Sequence, residues 1–397
     1  MRLLAKVSGL LILFALIFCS ALAQEAPEIT SYAEITVSRT KSKIPDMLDG
    51  NYRTYWLDEK PKAYVCFELP EDMPCYGLYL NFRHSATDRQ YEVQTMADGE
   101  WKAVFSPEYY LDNQYIPLQG VTKVRVYAPS DGLGISMVRL LGEGDLPGDI
   151  CLFEPTCEKA DLMLIVTHPD DELLWFGGLL PYYGGELGLN VQVVYLTYSR
   201  SYRVNELLDG LYTCGIKNAP VIIGWEDKRT DKDITKAFNR WGGRNKVFST
   251  LVDLIRVYRP EVVVTQDVNG EYGHIQHRAM VSAVKRAVPL ACDETYKDSS
   301  LPAWQVKKVY LHLYKENAIR MDWRKNLEKF GGETALSVAS RAFDCHKSQS
   351  HARYQVVDEG PYDSSLFGLY YSVVGEDVLG GDFFENIELN NEEAGRI

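Results

Sequence analysis

The chain has 397 residues, 46% of them hydrophobic, and a formal net charge of −13. That length exceeds one ordinary core and implies two domains, and the apolar share is enough to fill both, which excludes a disordered chain. The acidic balance disfavours phosphate backbones and anionic lipid surfaces, so no nucleic acid is expected as a partner. It leaves room for a carbohydrate, recognised through hydrogen bonds and stacking.

Arg2 and Lys6 open the chain with positive charge, an apolar run follows from about Leu10 to Phe18, and Ala21-Leu22-Ala23 precedes Gln24. This is the pattern of a cleavable secretory leader over residues 1–23. The run is too short to span a bilayer comfortably, so a secreted or cell-envelope protein with no membrane span after cleavage is expected rather than an anchored one. Phe18 stands before Cys19 where a lipoprotein needs a small residue. The remaining cysteines, Cys66, Cys75, Cys151, Cys157, Cys214, Cys292 and Cys345, are odd in number. The close pairs Cys66/Cys75 and Cys151/Cys157 could bridge in an oxidising compartment. No Cys-x-x-Cys spacing exists, which argues against a thiolate zinc cluster.

Residues 25–147 read as strands. Segments such as Ala63-Tyr64-Val65-Cys66-Phe67 and Val121-Thr122-Lys123-Val124-Arg125-Val126 are rich in β-branched and aromatic residues, and Asp49-Gly50, Asp98-Gly99 and Asp131-Gly132 punctuate them. Many short strands with regular turns predict a β-sandwich. Gly142 to Gly148, rich in Gly, Pro and acid, reads as a linker.

From residue 155 to 397 the rhythm changes to βα. Leu162 to Val166 is a continuous apolar run, as for a strand buried on both faces, and a helical pattern starts near Glu172. Strand Val191 to Leu196, helix Val204 to Cys214 and short strand Pro220 to Ile223 follow. Helix Val247 to Tyr258 ends at Pro260, strand Val262-Val263-Val264 comes next, then helix Ile275 to Val288 and strand Val309 to Leu313. The alternation predicts an α/β, doubly wound, Rossmann-like and mostly parallel sheet, whose ligands sit beyond the carboxyl ends of the strands.

Two motifs fall at such ends. His168-Pro169-Asp170-Asp171-Glu172 directly follows Leu162 to Val166, and Pro169 forces a turn at His168. Across that turn His168 and Asp171 can converge on one cation while Asp170 stays free beside it, which is what a hydrolytic zinc site needs: nitrogen and oxygen ligands, an open position and a base. Glu271-Tyr272-Gly273-His274-Ile275-Gln276-His277 follows the next strand and opens a helix, with His274 and His277 on one face. The bland alternatives are helix caps at Asp170 or Asp171 and partly buried, satisfied histidines. Two such motifs at matching places in one layer favour the metal site.

His-Pro-Asp-Asp-Glu followed about a hundred residues later by Gly-His-x-x-His resembles the LmbE/PIG-L de-N-acetylases, over about residues 155 to 390. The resemblance implies zinc on His168, Asp171 and His277, with Asp170 as general base, His274 stabilising the oxyanion and Tyr272 assisting polarisation. It departs from many members at Ile275-Gln276, where they carry Pro-Asp. Arg203, with Glu206 three residues on, matches a family arginine that contacts substrate; an i,i+3 surface ion pair is the plain alternative. Ala342 to Gln349 and Phe367 to Tyr370 resemble the tail of some members and are expected to close the pocket, with buried structure the expectation for Cys345 and His346. The front half resembles discoidin-like, galactose-binding-type jelly rolls through Leu48-Asp49-Gly50-Asn51-Tyr52-Arg53-Thr54-Tyr55-Trp56, Asp98-Gly99-Glu100-Trp101 and Ile135-Ser136-Met137-Val138-Arg139-Leu140. Trp56 and Trp101 are expected in the core rather than as sugar platforms.

The expected function is a secreted zinc hydrolase that removes acetyl from an N-acetylglucosamine-type sugar or glycan, with the front domain either a glycan-binding module or a spacer. The alternatives are a zinc amidohydrolase with a different N-acyl substrate, and an inactive glycan-binding surface protein.

Overall fold

The computed structural model describes residues 24–85, 90–229, 233–350 and 353–389. The expected leader lies outside them.

The front region packs two antiparallel sheets. Nine strands build it: β1 (Glu34–Val37), β2 (Trp56–Asp58), β3 (Ala63–Glu68), β4 (Cys75–Phe82), β5 (Glu92–Ala97), β6 (Glu100–Phe105), β7 (Asn113–Val121), β8 (Lys123–Ala128) and β9 (Leu133–Leu141). One sheet runs β1-β3-β8-β5-β6 and the other β2-β9-β4-β7. Asp98 and Gly99 both take positive φ, 55° and 79°, as a tight hairpin turn between β5 and β6 requires. The expected strand Val121 to Val126 is split, because the chain changes sheet at Thr122, between β7 and β8. Trp56 is fully buried in this core and its indole N–H donates to Arg39 O at 3.1 Å. Trp101 lies half-buried on the edge strand β6 under the Arg125 guanidinium, 4.3 Å from its ring centre.

The second region is a mixed seven-stranded sheet. Its strands are β10 (Leu162–Val166), β11 (Val191–Tyr198), β12 (Val221–Glu226), β13 (Val262–Thr265), β14 (Lys308–His312), β15 (Ala318–Arg320) and β16 (Leu366–Ser372). Their order is β12-β11-β10-β13-β14-β16-β15, the first five parallel and the last two antiparallel. Among the described residues six α-helices accompany them: α1 (Asp171–Leu174), α2 (Ser201–Thr213), α3 (Ile234–Arg240), α4 (Arg244–Tyr258), α5 (Ile275–Cys292) and α6 (Ala335–Phe343). Leu162, Leu164 and Val166 enter the core on one face of β10 and Met163 and Ile165 the core on the other, which is why that strand reads as unbroken hydrophobicity. The helix expected near Glu172 is a single turn. It ends at Leu174, and in the turn that follows Gly177 takes φ 50°, where any side chain would run into Ser364 and Trp323.

The strand order reverses between β10 and β13, the place where an open α/β sheet splays its loops apart into a crevice. Both histidine motifs begin there. The sandwich docks onto α2: Asn205 Nδ2 donates to Phe82 O at 3.1 Å and Tyr52 Oη donates to Asp209 Oδ1 at 3.3 Å. Ala26, Tyr79, Leu141, Ile150 and Cys151 form a small shared apolar cluster, with Phe153 and Tyr212 packed against it. The segment from Gly142 is pinned, Gly142 N to Pro27 O and Asp145 N to Gln24 O, both at 2.9 Å. Cys66, Cys75, Cys151, Cys157, Cys214, Cys292 and Cys345 are all free thiols, so neither close pair bridges here. Among the described residues no helix is long and apolar enough to cross a membrane.

Candidate metal centre

The turn after β10 places His168 and Asp171, and the N-terminus of α5 after β13 places His277. Three donor atoms form a nearly equilateral triangle. His168 Nδ1 lies 3.1 Å from Asp171 Oδ2 and 3.1 Å from His277 Nε2, and His277 Nε2 lies 3.3 Å from Asp171 Oδ2. Ligands about 2.0–2.1 Å from a tetrahedral ion stand roughly 3.3–3.4 Å apart, so this triangle matches three corners of a zinc site and leaves the fourth open. His274 is close as well: one nitrogen from each of His168, His274 and His277 falls within 4.8 Å of the others. The set containing Asp171 is tighter and adds the oxygen donor.

The far nitrogens of both ligand rings are fixed. His168 Nε2 donates to Gln276 Oε1 at 3.1 Å and lies 3.5 Å from Asp227 Oδ1, which turns the Nδ1 lone pair inward. His277 Nδ1 donates to Glu271 Oε2 at 2.6 Å, which does the same for Nε2. Asp171 accepts from His168 N at 2.7 Å and from Trp175 Nε1 at 2.7 Å. Such outer partners orient ligands and sharpen their basicity. Burial opposes charge on both rings, but the Asp171 carboxylate overrides it and lifts His168 to about 10 and His277 to about 9. Asp171 is held well below the usual carboxylate range, its burial outweighed by His277 and His168.

Asp170 does not join the triangle. Its φ of 102° is in the left-handed half of backbone space, strained for a residue with a side chain. Two struts hold it there. Glu172 Oε2 accepts its backbone N–H at 2.8 Å, and Arg203 Nη2 reaches its Oδ2 at 3.0 Å while also donating closely to Pro169 O. Burial raises the Asp170 carboxyl to about 6 against the pull of Arg203, near the value that suits a base at neutral pH. Arg203, expected against substrate, is 8% exposed and spends its contacts on this loop. Glu206 turns away to Ser348, so Arg203 and Glu206 are not a surface pair.

His274 packs edge-on to His168 with ring centres 4.8 Å apart, and its buried Nδ1 has no partner among the described residues. Burial and the neighbouring His168 and His277 push it down to about 3, so its ring is neutral. Tyr272 stacks on Tyr354 (4.8 Å, 20°) and meets Trp175 at 5.8 Å, its hydroxyl kept protonated by burial. With Tyr362 these rings make an aromatic wall beside the centre. Phe367, expected at the pocket, is instead fully buried core. His346 is buried, and its Nε2 meets Glu172 Oε1 at 2.9 Å.

Sequence reasoning missed Asp227, Glu172, His346 and the part played by Gln276. Gln276 stands in the motif as mere filler, yet it bridges His168, Lys228 N (3.3 Å) and Glu226 O (3.0 Å). Glu271 stands six residues before His277 in the same motif. That carboxylate, so near a histidine, was the available signal for an outer partner.

Comparison with known proteins places these residues in a wider group. Residues 163–288 match the family model described as PIG-L: GlcNAc-PI de-N-acetylase. A 1D-myo-inositol 2-acetamido-2-deoxy-alpha-D-glucopyranoside deacetylase of Frankia casuarinae is 28% identical over 201 residues, 42% of this chain. The match spans 65% of that relative, just under two thirds of its length. The N,N'-diacetylchitobiose deacetylase from Pyrococcus horikoshii is similar over 48% of this chain and 71% of its own, with 15% identity and a TM-score of 0.34. The family 32 CBM from C. perfringens NanJ is similar over 29% of this chain and 98% of its own, with 14% identity and a TM-score of 0.24.

Proposed function

Residues 163–288 form a domain of the PIG-L/LmbE family, and from that premise we propose that the protein is a zinc hydrolase removing the acetyl group from an N-acetylglucosamine-type sugar or glycoconjugate. The observation that carries this reading is the equilateral His168–Asp171–His277 triangle with a separate carboxylate, Asp170, held beside it. Two nitrogens and one oxygen, with an open fourth corner, suit zinc. A zinc ion bound there supplies Lewis acidity and makes water acidic enough to attack at neutral pH.

The chain's own residues do the rest. Asp170 accepts a proton from the attacking water. The water oxygen bonds to the acetyl carbon, and negative charge grows on the carbonyl oxygen. The neutral His274 offers an N–H to that oxygen and Tyr272 an O–H, each such donor worth about 3–4 kcal/mol. Asp170 then delivers that proton to the amine as the C–N bond breaks, leaving acetate and a free amino sugar. Arg203 fixes the base and lies close enough to the loop to border substrate. The aromatic wall of Trp175, Tyr272, Tyr354 and Tyr362 offers flat apolar faces of the kind sugar rings stack on.

The leader motif in residues 1–23 supports export, and with it a cell-envelope or extracellular glycan as substrate. The sandwich domain, docked on α2, is read as presenting glycan to the centre. The test is acetate release from a panel of N-acetylated glycans and other N-acyl amines, with and without a chelator. Chelator-sensitive release from amino sugars is expected. Release confined to non-sugar amides moves the reading to another zinc amidohydrolase, and no release with zinc bound moves it to a glycan-binding protein.

A further inference from the structure

The tail segment after α6 lies far in sequence from both motifs and outside the family match, yet it touches one strut of Asp170, Glu172, and the helix α2 that carries the other. His346 is 1% exposed and Glu172 is fully buried, and His346 Nε2 meets Glu172 Oε1 at 2.9 Å. The other oxygen of Glu172 holds the Asp170 backbone N–H at 2.8 Å. Two residues on, Ser348 N and Oγ donate to the two oxygens of Glu206, at 2.8 and 2.5 Å. Glu206 lies one turn along α2 from Arg203, whose guanidinium grips Asp170 Oδ2. A third contact locks the same pieces. At Gly210 of α2 an added Cβ would sit 3.3 Å from His346 Nε2 and 3.2 Å from Ala342 O of α6, closer than most side chains are packed, so α2 lies tight against α6 and the tail.

A left-handed aspartate costs about 1–3 kcal/mol and persists only where its surroundings over-determine it. Glu172 alone would be a mobile carboxylate on a one-turn helix. Arg203 alone would depend on the seating of α2. One short stretch of tail closes off Glu172 and pins α2 through Glu206.

We propose that His346 and Ser348 form a positioning clamp for the catalytic base, His346 acting through Glu172 and Ser348, through Glu206, on the seating of the helix α2 that carries Arg203. This rests on the reading of Asp170 as the base. The clamp touches neither the metal ligands nor the aromatic wall, so its loss misplaces the base while leaving metal and substrate binding in place.

The test compares full-length His346→Ala, His346→Gln, Ser348→Ala and Asp170→Asn for zinc content, kcat and KM on a soluble chito-oligosaccharide. His346→Ala is expected to keep its zinc and KM and to lose about 10–100-fold in kcat, the scale of an ångström-level misplacement. His346→Gln, whose amide can donate where Nε2 does, recovers most of that loss, whereas a purely structural role would show in melting temperature and not in kcat. Ser348→Ala loses a few-fold in kcat and decides the matter if His346→Ala does not fold. Wild-type kcat in folded, zinc-loaded His346→Ala, or in Ser348→Ala where the first cannot be prepared, overturns the clamp while Asp170→Asn is inactive. An active Asp170→Asn overturns the reading of the base itself, and the clamp with it.

Discussion

The two strand-to-helix junctions that build the centre are held in different ways. The ligand at the one after β13 is oriented mostly from within, with His312 of β14 meeting Glu271 at 3.4 Å from behind. Gly270 (φ 75°) and Gly273 (φ 88°) make the turn, His274 N bonds Gly270 O at 2.9 Å, and Glu271 reaches His277 six residues on. The one after β10 leans on distant parts of the chain: Arg203 on α2, Gln276 on α5, Asp227 after β12, and His346 beyond α6. The difference fits the proposed tasks, His277 as a ligand and Asp170 as the base. A ligand such as His277 needs only its tautomer and direction fixed, and a nearby carboxylate does that. A base must be placed relative to both metal and substrate, here in strained backbone, and that takes support from several sides.

Breaking the local junction has the largest effect. His277→Ala removes one corner of the triangle. Zinc binding should be lost and turnover should fall more than about 10³-fold, to the level of the chelated enzyme; zinc retained at full occupancy would mean the ligand set is wrong. Glu271→Gln leaves the ring in place but weakens its orienting partner. Titration against a competing chelator should show zinc held about 10–100-fold more weakly. Unchanged affinity would mean that Glu271 merely fills space.

A smaller effect tests the outside support of the first junction, where the sandwich meets α2. Asp209 lies between Tyr52 Oη and Cys151 Sγ, and burial pushes its carboxyl up to about 6. The folded state therefore keeps a proton that the unfolded chain releases near pH 4. The stability this group contributes is present below about pH 4 and is lost as pH rises through about 6. Asp209→Asn cannot ionise, so from pH 4 to pH 7 it should gain up to about 2–3 kcal/mol on the wild type, read from urea midpoints. Parallel pH profiles for the two proteins would show that Asp209 is well solvated and the docking looser than described.

What the sequence disclosed follows the same division. The β10 run, the helix Ile275 onward and the histidine pairs were legible because periodicity and chemistry-bearing residues sit close together along the chain. Asp170 could be singled out beside Asp171, but its left-handed backbone could not, since its cause lies in Glu172, His346 and Arg203. His346 was unreadable as a support because 174 residues separate it from Glu172. The start of α1 was legible but its end after one turn was not, since the turn that follows packs Gly177 against Ser364 and Trp323, contacts that no local pattern encodes. In the sandwich, turns such as Asp98-Gly99 were plain, while the corner at Thr122 was not, because both strands it joins share the same β-branched composition.

Asp170 and Asp171 are neighbours with the same side chain and, in this account, opposite duties. Zinc content and acetate release measured side by side on Asp170→Asn and Asp171→Asn test that most directly. The account predicts that Asp170→Asn keeps about one zinc per chain and loses roughly 10²–10⁴ in turnover, while Asp171→Asn loses the zinc itself. Near-wild-type acetate release from Asp170→Asn, or full zinc in Asp171→Asn, would contradict it.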